Sequence, residues 1–558
     1  MNRVADPNPK SSESLSAPAI SKSSPLRAWW DILLVFAGSL FLIWVIQSKA
    51  GAFSAAFGGF PDEPAHYVAG LLIHDYVPHL FQQSPMHFVQ DYYARVPYFA
   101  LGVWPPLFYC IEGFWMLLFG VHRSSALWLV AVSGAGIATL LYTALKQKFG
   151  PGTGAAGAGL FLLTPAVQWS ACLVMADLTC SLFALITVLF FARYYDSQKL
   201  GYAIAMGVFG GLSLLTKNST YFVLLVPPRV ILGTGSWGLL RKPALWIGGA
   251  LSIAIYAPWL YISRSVMLLG IQGLELPGFW GIQRHFASTL WAQNFFLFPL
   301  AAAGAAGLLF AMLRSGKMRI DGLTASMIAI LPACSIGIFV AKVPVQPRLL
   351  TLPYMAVVFL AAQLLFLLLR RPNRVAVAMA VALAAFAVQN WMDFRYPPVN
   401  DIHEAVTFVQ QRDGATPGSV LTPSAREGSW IAEFAQTELV RPQRILVRPT
   451  KILGKEDWNG SDWQPFYRSQ EELEAFLERM PVKYCVLYRA PRRNYPHDAW
   501  LRTMVASRSD WWRPVYRHEA PGYQAFDVYE NTRWTPASES LVYEETNRTV
   551  PKVLKASR

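Results

Sequence analysis

The chain has 558 residues, of which 54% are hydrophobic, 14% are aromatic and only 15% are charged. Apolar residues recur in runs of about 17 to 24, close to the roughly 20 residues that cross a bilayer as helix. A single soluble domain is therefore excluded. The net charge of +14 does not indicate nucleic-acid binding, because the basic excess lies in short loops before residue 393, where it determines membrane topology. The composition predicts an α-helical polytopic membrane protein.

Eleven apolar runs are predicted to span the membrane, within a transmembrane domain over residues 32–392. They lie at about residues 32–48, 126–145, 154–172, 178–195, 202–216, 219–234, 244–263, 290–313, 323–341, 347–369 and 375–392. Basic residues cluster in alternate loops, for example from Lys146 to Lys148 and from Arg370 to Arg374. Since such clusters face the cytoplasm, the N-terminus is predicted inside, with a disordered cytoplasmic tail at residues 1–31.

The apolar segment from Trp104 to Gly120 determines which loops face outward. It is short, opens with Pro105-Pro106 and contains Glu112. A span here would move every later basic loop to the outside, against the positive-inside rule. We therefore expect an interfacial or partly inserted helix within a long external first loop, residues 49–125.

The composition changes after residue 392. Short apolar-rich runs such as Val482 to Tyr488 and Ala525 to Tyr529 are typical of strands, and Glu471 to Met480 has the pattern of an amphipathic helix. Residues 393–537 are predicted to form a small external α/β domain, followed by a ragged C-terminal tail at residues 538–558. Charges nearly balance in this region, so neither nucleic acid nor another polyanion is expected as a partner.

The predicted topology gathers charged and titratable side chains near the external ends of helices. They are Asp62, Glu63, His66, Asp177, Lys217, Arg264, Arg284, His285, Lys342 and Arg348. Ionisable groups kept near the hydrocarbon boundary are costly and usually belong to a functional site. The cations could hold a phosphate or pyrophosphate, and a carboxylate could accept a proton from an incoming nucleophile.

Several of these residues have a structural explanation that stays open on sequence alone. Lys342 and Arg348 could be flanking residues whose charged ends reach the interface. Asp177 lies where a helix begins and could be its N-cap. Lys217 interrupts a largely apolar stretch, which favours a functional role.

The two histidines and one arginine have equally simple explanations. His66 follows Asp62 by four residues, on the same helical face if a helix begins there. Metal binding by Glu63 and His66 is the functional alternative. His285 fits a solvated loop, and Arg264 fits a helix end.

The order of these features resembles the C-type (GT-C) superfamily of membrane glycosyltransferases, in its protein O-mannosyltransferase and aminoarabinose-transferase branch. The matching elements are Asp62-Glu63, Pro105-Pro106-Leu107, Arg123 to Leu127, Thr164-Pro165, Asp177, Gly210 to Lys217, Ala257-Pro258-Trp259, and Pro347 to Leu350 with Pro353. Asn218 and Leu349 depart from the family, where a glycine and an aromatic residue are commoner, but neither change removes a charge. The resemblance covers about residues 30–370 and implies a GT-C-like fold.

The resemblance implies an inverting glycosyltransferase that uses a polyprenyl-phosphate sugar, hexosyl or pentosyl, at the external, periplasmic side. It would be a multi-pass protein of the cell inner (plasma) membrane, and its acceptor would be a glycolipid, a polysaccharide or a protein. Inversion by a single displacement needs one base opposite the leaving group.

The implied site residues fall into three groups. The catalytic carboxylates are Asp62 as the base, with Glu63 or Asp177 orienting the acceptor or binding a divalent metal ion. The cations that bind the donor phosphate are Lys217, Arg348, Lys342 and Arg264. The residues that contact the acceptor or a metal are His66 and His285.

Three other functions stay open. An oligosaccharyltransferase of the same superfamily would transfer a whole glycan, although no spaced Asp-x-Asp lies near Asp62. A transporter typically has repeated halves with charges near the midplane, and no such internal symmetry is visible in the sequence. A scaffolding membrane protein with an external domain is the third alternative.

Overall fold

The structure is a computed structural model that describes residues 25–99, 101–269, 277–315, 320–391, 395–396, 400–414, 416–455, 463–491 and 495–551. Most of the N-terminal tail predicted at residues 1–31 lies outside these described residues. Within them, the chain before residue 391 is predominantly helical, and every strand lies after residue 419.

The membrane part consists of helices because a helix pairs its backbone groups within one segment, as hydrocarbon requires. Its helices are α1 (Pro25–Ala50), α2 (Glu63–Tyr76), α3 (Pro85–Arg95), α4 (Leu107–Phe119), α5 (Arg123–Phe149), α6 (Pro151–Leu162), α7 (Pro165–Ala171), α8 (Asp177–Ser197), α9 (Leu200–Thr216), α10 (Val226–Thr234), α11 (Pro243–Leu269), α12 (Phe279–Asn294), α13 (Leu297–Ser315), α14 (Gly322–Val340), α15 (Thr351–Leu369) and α16 (Pro372–Asn390). Short 3-10 helices lie at Val77–His79, Asn218–Leu225, Trp237–Arg241 and Pro347–Leu350.

The apolar runs predicted as spans all form helical structure. Among the described residues, seven helices are long and apolar enough to cross a membrane, and α12 with α13 forms a further candidate that is bent by 120°. The remaining predicted spans correspond to α6 with α7, to α9, and to a 3-10 helix followed by α10. Pro165 is the first residue of α7, and Pro227-Pro228 lie in the first turn of α10. Proline lacks the N–H that would continue a preceding helix, so new helices begin at these positions. The multi-pass helical architecture is confirmed, whereas the number of eleven spans stays a prediction.

Helix α4 lies in the long loop between α1 and α5 and has 13 residues, too few to cross a bilayer. Its buried face packs on α2, where the carboxyl group of Glu112 lies directly against Gly70. Its opposite face exposes Phe114, Leu118 and Phe119. One-sided apolar exposure is the pattern of a helix that lies in an interface, and this location remains a prediction.

The C-terminal part alternates short strands and helices. Its elements are α17 (Asn400–Asp413), β1 (Val420–Leu421), α18 (Glu427–Thr437), β2 (Leu446–Val447), α19 (Pro449–Ile452), β3 (Gly454–Lys455), β4 (Gln464–Pro465), α20 (Gln470–Arg479), β5 (Tyr484–Tyr488), α21 (Pro496–Ser507), β6 (Trp512–His518), a 3-10 helix at Gly522–Gln524, β7 (Phe526–Asn531) and α22 (Ser538–Arg548).

Five of these strands form one mixed sheet in the order β2-β1-β5-β7-β6. Strand β1 pairs in parallel with β2 and β5, and β7 runs antiparallel to β5 and β6. Every residue of β5 is buried, which explains why its sequence is continuously apolar rather than alternating. The predicted sheet-containing C-terminal domain is confirmed.

Helix α22 corrects the expectation of a ragged tail from residue 538. Val542 is buried, and the Tyr543 hydroxyl donates a hydrogen bond to Asp91 of α3 at 2.7 Å. Most of its other residues are polar, so its composition does not indicate that the segment packs. The helix joins the C-terminal domain to the long loop between α1 and α5.

The C-terminal domain packs against that same loop through further polar contacts. The Arg441 guanidinium lies 3.1 Å from the carboxylate of Asp75 in α2, and both side chains are largely buried. Gln436 of α18 accepts a hydrogen bond from the backbone N–H of Arg123 at 3.0 Å. The domain therefore adjoins the segment that carries Asp62 and Glu63.

Candidate active site

Asp62 and Arg348 form an ion pair between residues that are far apart in the sequence. Asp62 directly precedes α2, Arg348 lies in the 3-10 helix before α15, and their side chains approach to 3.0 Å. The Asp62 side chain is 28% exposed, whereas that of Arg348 is 9% exposed. The guanidinium lies over the Phe60 ring at 4.1 Å and donates to the Gln346 side chain at 2.7 Å. Protein contacts therefore hold the Arg348 side chain in place. This argues against the alternative that Arg348 is a flanking residue whose charged end reaches towards solvent.

Asp177 and Lys217 form a second, more deeply buried ion pair. Asp177 is the first residue of α8, Lys217 follows the last residue of α9, and the two side chains lie 2.7 Å apart. Their side chains are 3% and 6% exposed. The alternative that Asp177 is a helix N-cap is wrong, because Ala176 holds that position. Each buried charge of this pair is compensated by the other.

Glu63 is fully buried and bonded on several sides by protein groups. Its carboxylate accepts two hydrogen bonds from the Arg123 guanidinium, at 2.9 and 2.7 Å, and one from the backbone N–H of Val174 at 3.1 Å. The hydroxyl of Tyr396 donates a further hydrogen bond to it and accepts one from the backbone N–H of Gly59. Glu63 therefore anchors the loop before α2 rather than facing open space.

His66 lies inside the same region as a buried, neutral ring. It stacks on Trp104 with ring centroids 4.3 Å apart, and its Nδ1 lies 3.1 Å from the Tyr109 hydroxyl. Burial, and next the positive charge of Lys217, lower the pKa of His66 well below its ordinary value. Neither His66 Nε2 nor Asp177 Oδ2 has a hydrogen-bond partner in the described part of the chain, although both are buried. Unpaired buried polar atoms of this kind suit a bound hydroxyl or a water molecule.

Three other predicted site residues are exposed and separate from these pairs. Lys342, Arg264 and His285 all have exposed side chains. Arg264 lies over the ring of Tyr261 at 5.3 Å. Across the described ranges, none of the three has an ion pair with the Asp62 or Asp177 cluster. The structure therefore does not bring them together with Lys217 and Arg348.

The hypothesis of a divalent metal ion finds no cluster of protein ligands to support it. In the described segments, no group of three or more His, Cys, Asp or Glu side chains could hold a metal. Glu63 is committed to Arg123, and His66 points one nitrogen towards Tyr109. The metal stays an untested prediction.

A family model described as dolichyl-phosphate-mannose-protein mannosyltransferase matches residues 103–262. The matched region contains both members of the Asp177–Lys217 pair. No curated protein matches the sequence.

Solved membrane proteins share the architecture over most of the chain. ArnT from Cupriavidus metallidurans bound to undecaprenyl phosphate is 15% identical, with 91% of this chain and 98% of that chain covered and a TM-score of 0.51. The Archaeoglobus fulgidus oligosaccharyltransferase in complex with Zn and sulfate is 16% identical, with 89% and 73% covered and a TM-score of 0.52. The chain has a GT-C fold.

A further structure with this GT-C fold is the archaeal oligosaccharyltransferase AglB from Archaeoglobus fulgidus in complex with an inhibitory peptide and a dolichol-phosphate. It is 13% identical, covers 92% of this chain and 75% of its own, and has a TM-score of 0.50. The resemblance to the GT-C superfamily stated from the sequence is confirmed at the level of the fold.

Within the GT-C fold, sequence reasoning missed three residues that hold the cluster together. Arg123 and Tyr396 bind Glu63, and Gln346 orients Arg348. An arginine at the first position of an apolar helix was a usable signal for Arg123, because a buried cation needs an anionic partner. Nothing local in the sequence marks Tyr396, whose hydroxyl bonds to residues more than 300 positions away in the chain.

Proposed function

We propose that the protein is an inverting glycosyltransferase that moves a sugar from a polyprenyl-phosphate donor to an acceptor at the external face of the membrane. The observation that carries this proposal is the pairing of two carboxylates with two cations at one end of the helical bundle, with Asp62 partly exposed. Such a cluster offers a base and an anion site side by side. Neighbours described as bound to undecaprenyl phosphate and dolichol-phosphate support a lipid phosphate as the donor.

In the proposed reaction, Asp62 accepts the proton of the acceptor hydroxyl as its oxygen bonds to the anomeric carbon. The bond from that carbon to the phosphate oxygen breaks, and the polyprenyl phosphate leaves with the electron pair. Arg348 and Lys217 stabilise the charge that grows on the departing phosphate. Attack opposite the leaving group inverts the anomeric centre.

Glu63 and Asp177 take supporting roles in this proposal. The bonds of Glu63 to Arg123 and Tyr396 fix the backbone next to Asp62, so Glu63 acts as a positioning residue. Asp177 holds Lys217 in the buried cluster and keeps one free oxygen, Oδ2, that could accept a hydrogen bond from the substrate. Lys342, Arg264 and His285 are left outside the core of the site.

The external location of this site rests on loop charges. At the opposite ends of the helices, Lys146 pairs with Asp31 and Lys148 pairs with Asp321. Basic loops at that end favour the cytoplasm. A reporter fused after Lys148 should therefore be cytoplasmic and one after Tyr396 external, in the inner membrane of a cell with a periplasm. An external signal after Lys148 would invert the topology and contradict an external site.

Transfer of a whole glycan, as an oligosaccharyltransferase performs, is the second candidate. The two archaeal oligosaccharyltransferase structures favour it, because their TM-scores are close to that of ArnT. Identification of the transferred group by mass spectrometry of the product distinguishes one sugar from a glycan.

The proposal is tested by the lipid-linked sugar pool of cells that lack the protein. We expect a polyprenyl-phosphate sugar to accumulate, and re-expression of the wild-type chain to remove it. Re-expression of Asp62→Asn at an equal protein level should leave the accumulated polyprenyl-phosphate sugar in place, since loss of a general base lowers turnover roughly 10²–10⁴-fold. The matched control is Asp510→Asn, which removes the same charge from an exposed position of the C-terminal domain. An unchanged pool, or full rescue by Asp62→Asn, would contradict the proposal.

A further inference from the structure

Arg348 presents a fixed guanidinium edge whose hydrogen-bonding capacity is only partly used. Its Nε donates to Gln346, and its plane is stacked on Phe60, so these two residues orient the group. On the remaining edge, one nitrogen donates to Asp62 at 3.0 Å. The other faces the sulfur of Met175 at 3.8 Å, and a thioether is a weak acceptor. An anion with two oxygens would satisfy this edge better than Asp62 does.

Asp62 is also the carboxylate of this cluster that can leave its partner at the lowest cost. Its side chain is 28% exposed, and Arg348 is its side-chain partner in the described residues. Glu63 and Asp177 are both almost fully buried, and each is bonded to a buried cation. Since a buried charge that loses its partner is strongly destabilising, only the partly hydrated Asp62 is suited to exchange.

We propose that the donor phosphate and Asp62 compete for the same edge of Arg348, so that donor binding releases Asp62 to act as the base. This inference rests on the proposed function. A phosphate would occupy both terminal nitrogens of Arg348, in place of Asp62 and Met175, with the charge of Lys217 nearby. A carboxylate that has left its guanidinium partner has both oxygens available to accept the hydrogen bond of an acceptor hydroxyl.

The exchange imposes an order on the reaction. Without the donor, Asp62 is engaged with Arg348 and does not activate an acceptor hydroxyl. With the donor bound, the same movement that secures the phosphate exposes the base next to it. The acceptor is therefore deprotonated only where a sugar is present to receive its oxygen.

The first test measures binding of undecaprenyl phosphate to the full-length protein in detergent. Asp62→Asn removes the competing charge, so we expect it to bind this lipid about threefold to fivefold more tightly than the wild type. This factor corresponds to the free energy of a partly exposed ion pair. Turnover should be lost in the same variant. Asp62→Ala serves as a second variant, and Asp510→Asn, at an exposed position of the C-terminal domain, as the control that should leave affinity unchanged.

The outcomes separate the two proposals. If the wild type binds undecaprenyl phosphate and both Asp62 variants bind it equally or more weakly, the exchange is refuted while the proposed function stands. If the wild type does not bind the lipid, or Arg348→Ala binds it as well as the wild type, the phosphate site itself is refuted.

A second measurement needs no substitution at the site. In the wild-type protein, a water-soluble carbodiimide with an amine should label Asp62 faster after undecaprenyl phosphate is added, as read by peptide mass spectrometry. Glu63 lies in the same peptide and is fully buried, so its labelling should stay low in both conditions. An unchanged labelling rate of Asp62 at saturating lipid would overturn the inference.

Discussion

The buried pair of Glu63 and Arg123 provides the sharpest test of how the structure stabilises the loop that carries Asp62. Glu63→Gln keeps the acceptor oxygen and the size of the side chain but removes the negative charge. Arg123 would then remain 4% exposed without an anion. Breaking a buried pair from one side costs about 3–5 kcal/mol, because the other charge stays desolvated. We expect a large loss of stability and, as Asp62 loses its fixed backbone, a loss of turnover.

Combining Glu63→Gln with Arg123→Met distinguishes a charge effect from damage to packing. The double variant contains no uncompensated charge, so it should be more stable than Glu63→Gln alone. If the stability losses of Glu63→Gln and Arg123→Met simply add in the double variant, the interaction between the two residues is not what stabilises the loop.

The assay is thermal unfolding followed with a thiol-reactive dye, which reports exposure of buried cysteines such as Cys172 and Cys180. The matched control is Asp510→Asn, which breaks an exposed ion pair with Arg533 and should have little effect. A Glu63→Gln variant with the same melting temperature as the wild type would refute the reasoning.

Three further predictions follow from individual contacts. Arg348→Ala should lower transfer efficiency roughly tenfold to a hundredfold per folded molecule. Arg348→Lys should recover only part of this efficiency, because a point charge cannot make the two-pronged contact. Equal kinetics in the wild type and both variants would contradict this prediction. The hydrogen bond to Glu433 raises the pKa of His403, so its stabilising contribution is complete below about pH 6.5 and is lost as pH rises through the raised value; His403→Gln should therefore lower the melting temperature more at about pH 6 than at about pH 9. Gly70→Ala would press a methyl group into the buried carboxyl group of α4 and should destabilise the protein, whereas Gly201→Ala, with open space around it, should not; melting curves of the two variants decide this.

The sequence was informative about which charged residues lie at this set of helix ends, and much less about which of them meet. Lys217 stood out because it interrupts an apolar stretch, and Asp177 because it opens one. Their contact joins two neighbouring helices and follows from an antiparallel hairpin. The Asp62–Arg348 contact joins residues 286 positions apart, and no local pattern encodes such a pairing.

Adjacent residues of the same charge could not be separated by sequence either. Asp62 and Glu63 are adjacent carboxylates that the sequence does not distinguish, yet Asp62 is partly exposed and Glu63 is fully buried. One step along a helix turns the side chain by about 100°, which is enough to direct Glu63 to Arg123. The apolar strands β5 and β7 of the C-terminal domain were predictable from composition. Strand β6 and helix α22 were not, because most of their residues are polar or lie at least partly exposed.

The two hydrogen bonds of the Tyr396 hydroxyl make the C-terminal domain hard to separate from the loop that carries Asp62. This residue follows the last membrane helix, yet its hydroxyl reaches Gly59 and Glu63 near the beginning of the chain. A shortened protein that ends at α16 would lose this connection together with the whole domain. Inactivity of such a truncation would therefore say nothing about whether the domain selects the acceptor. Chimeras that exchange C-terminal domains between proteins of this fold should be joined after Tyr396, so that the loop keeps its anchor while the domain changes.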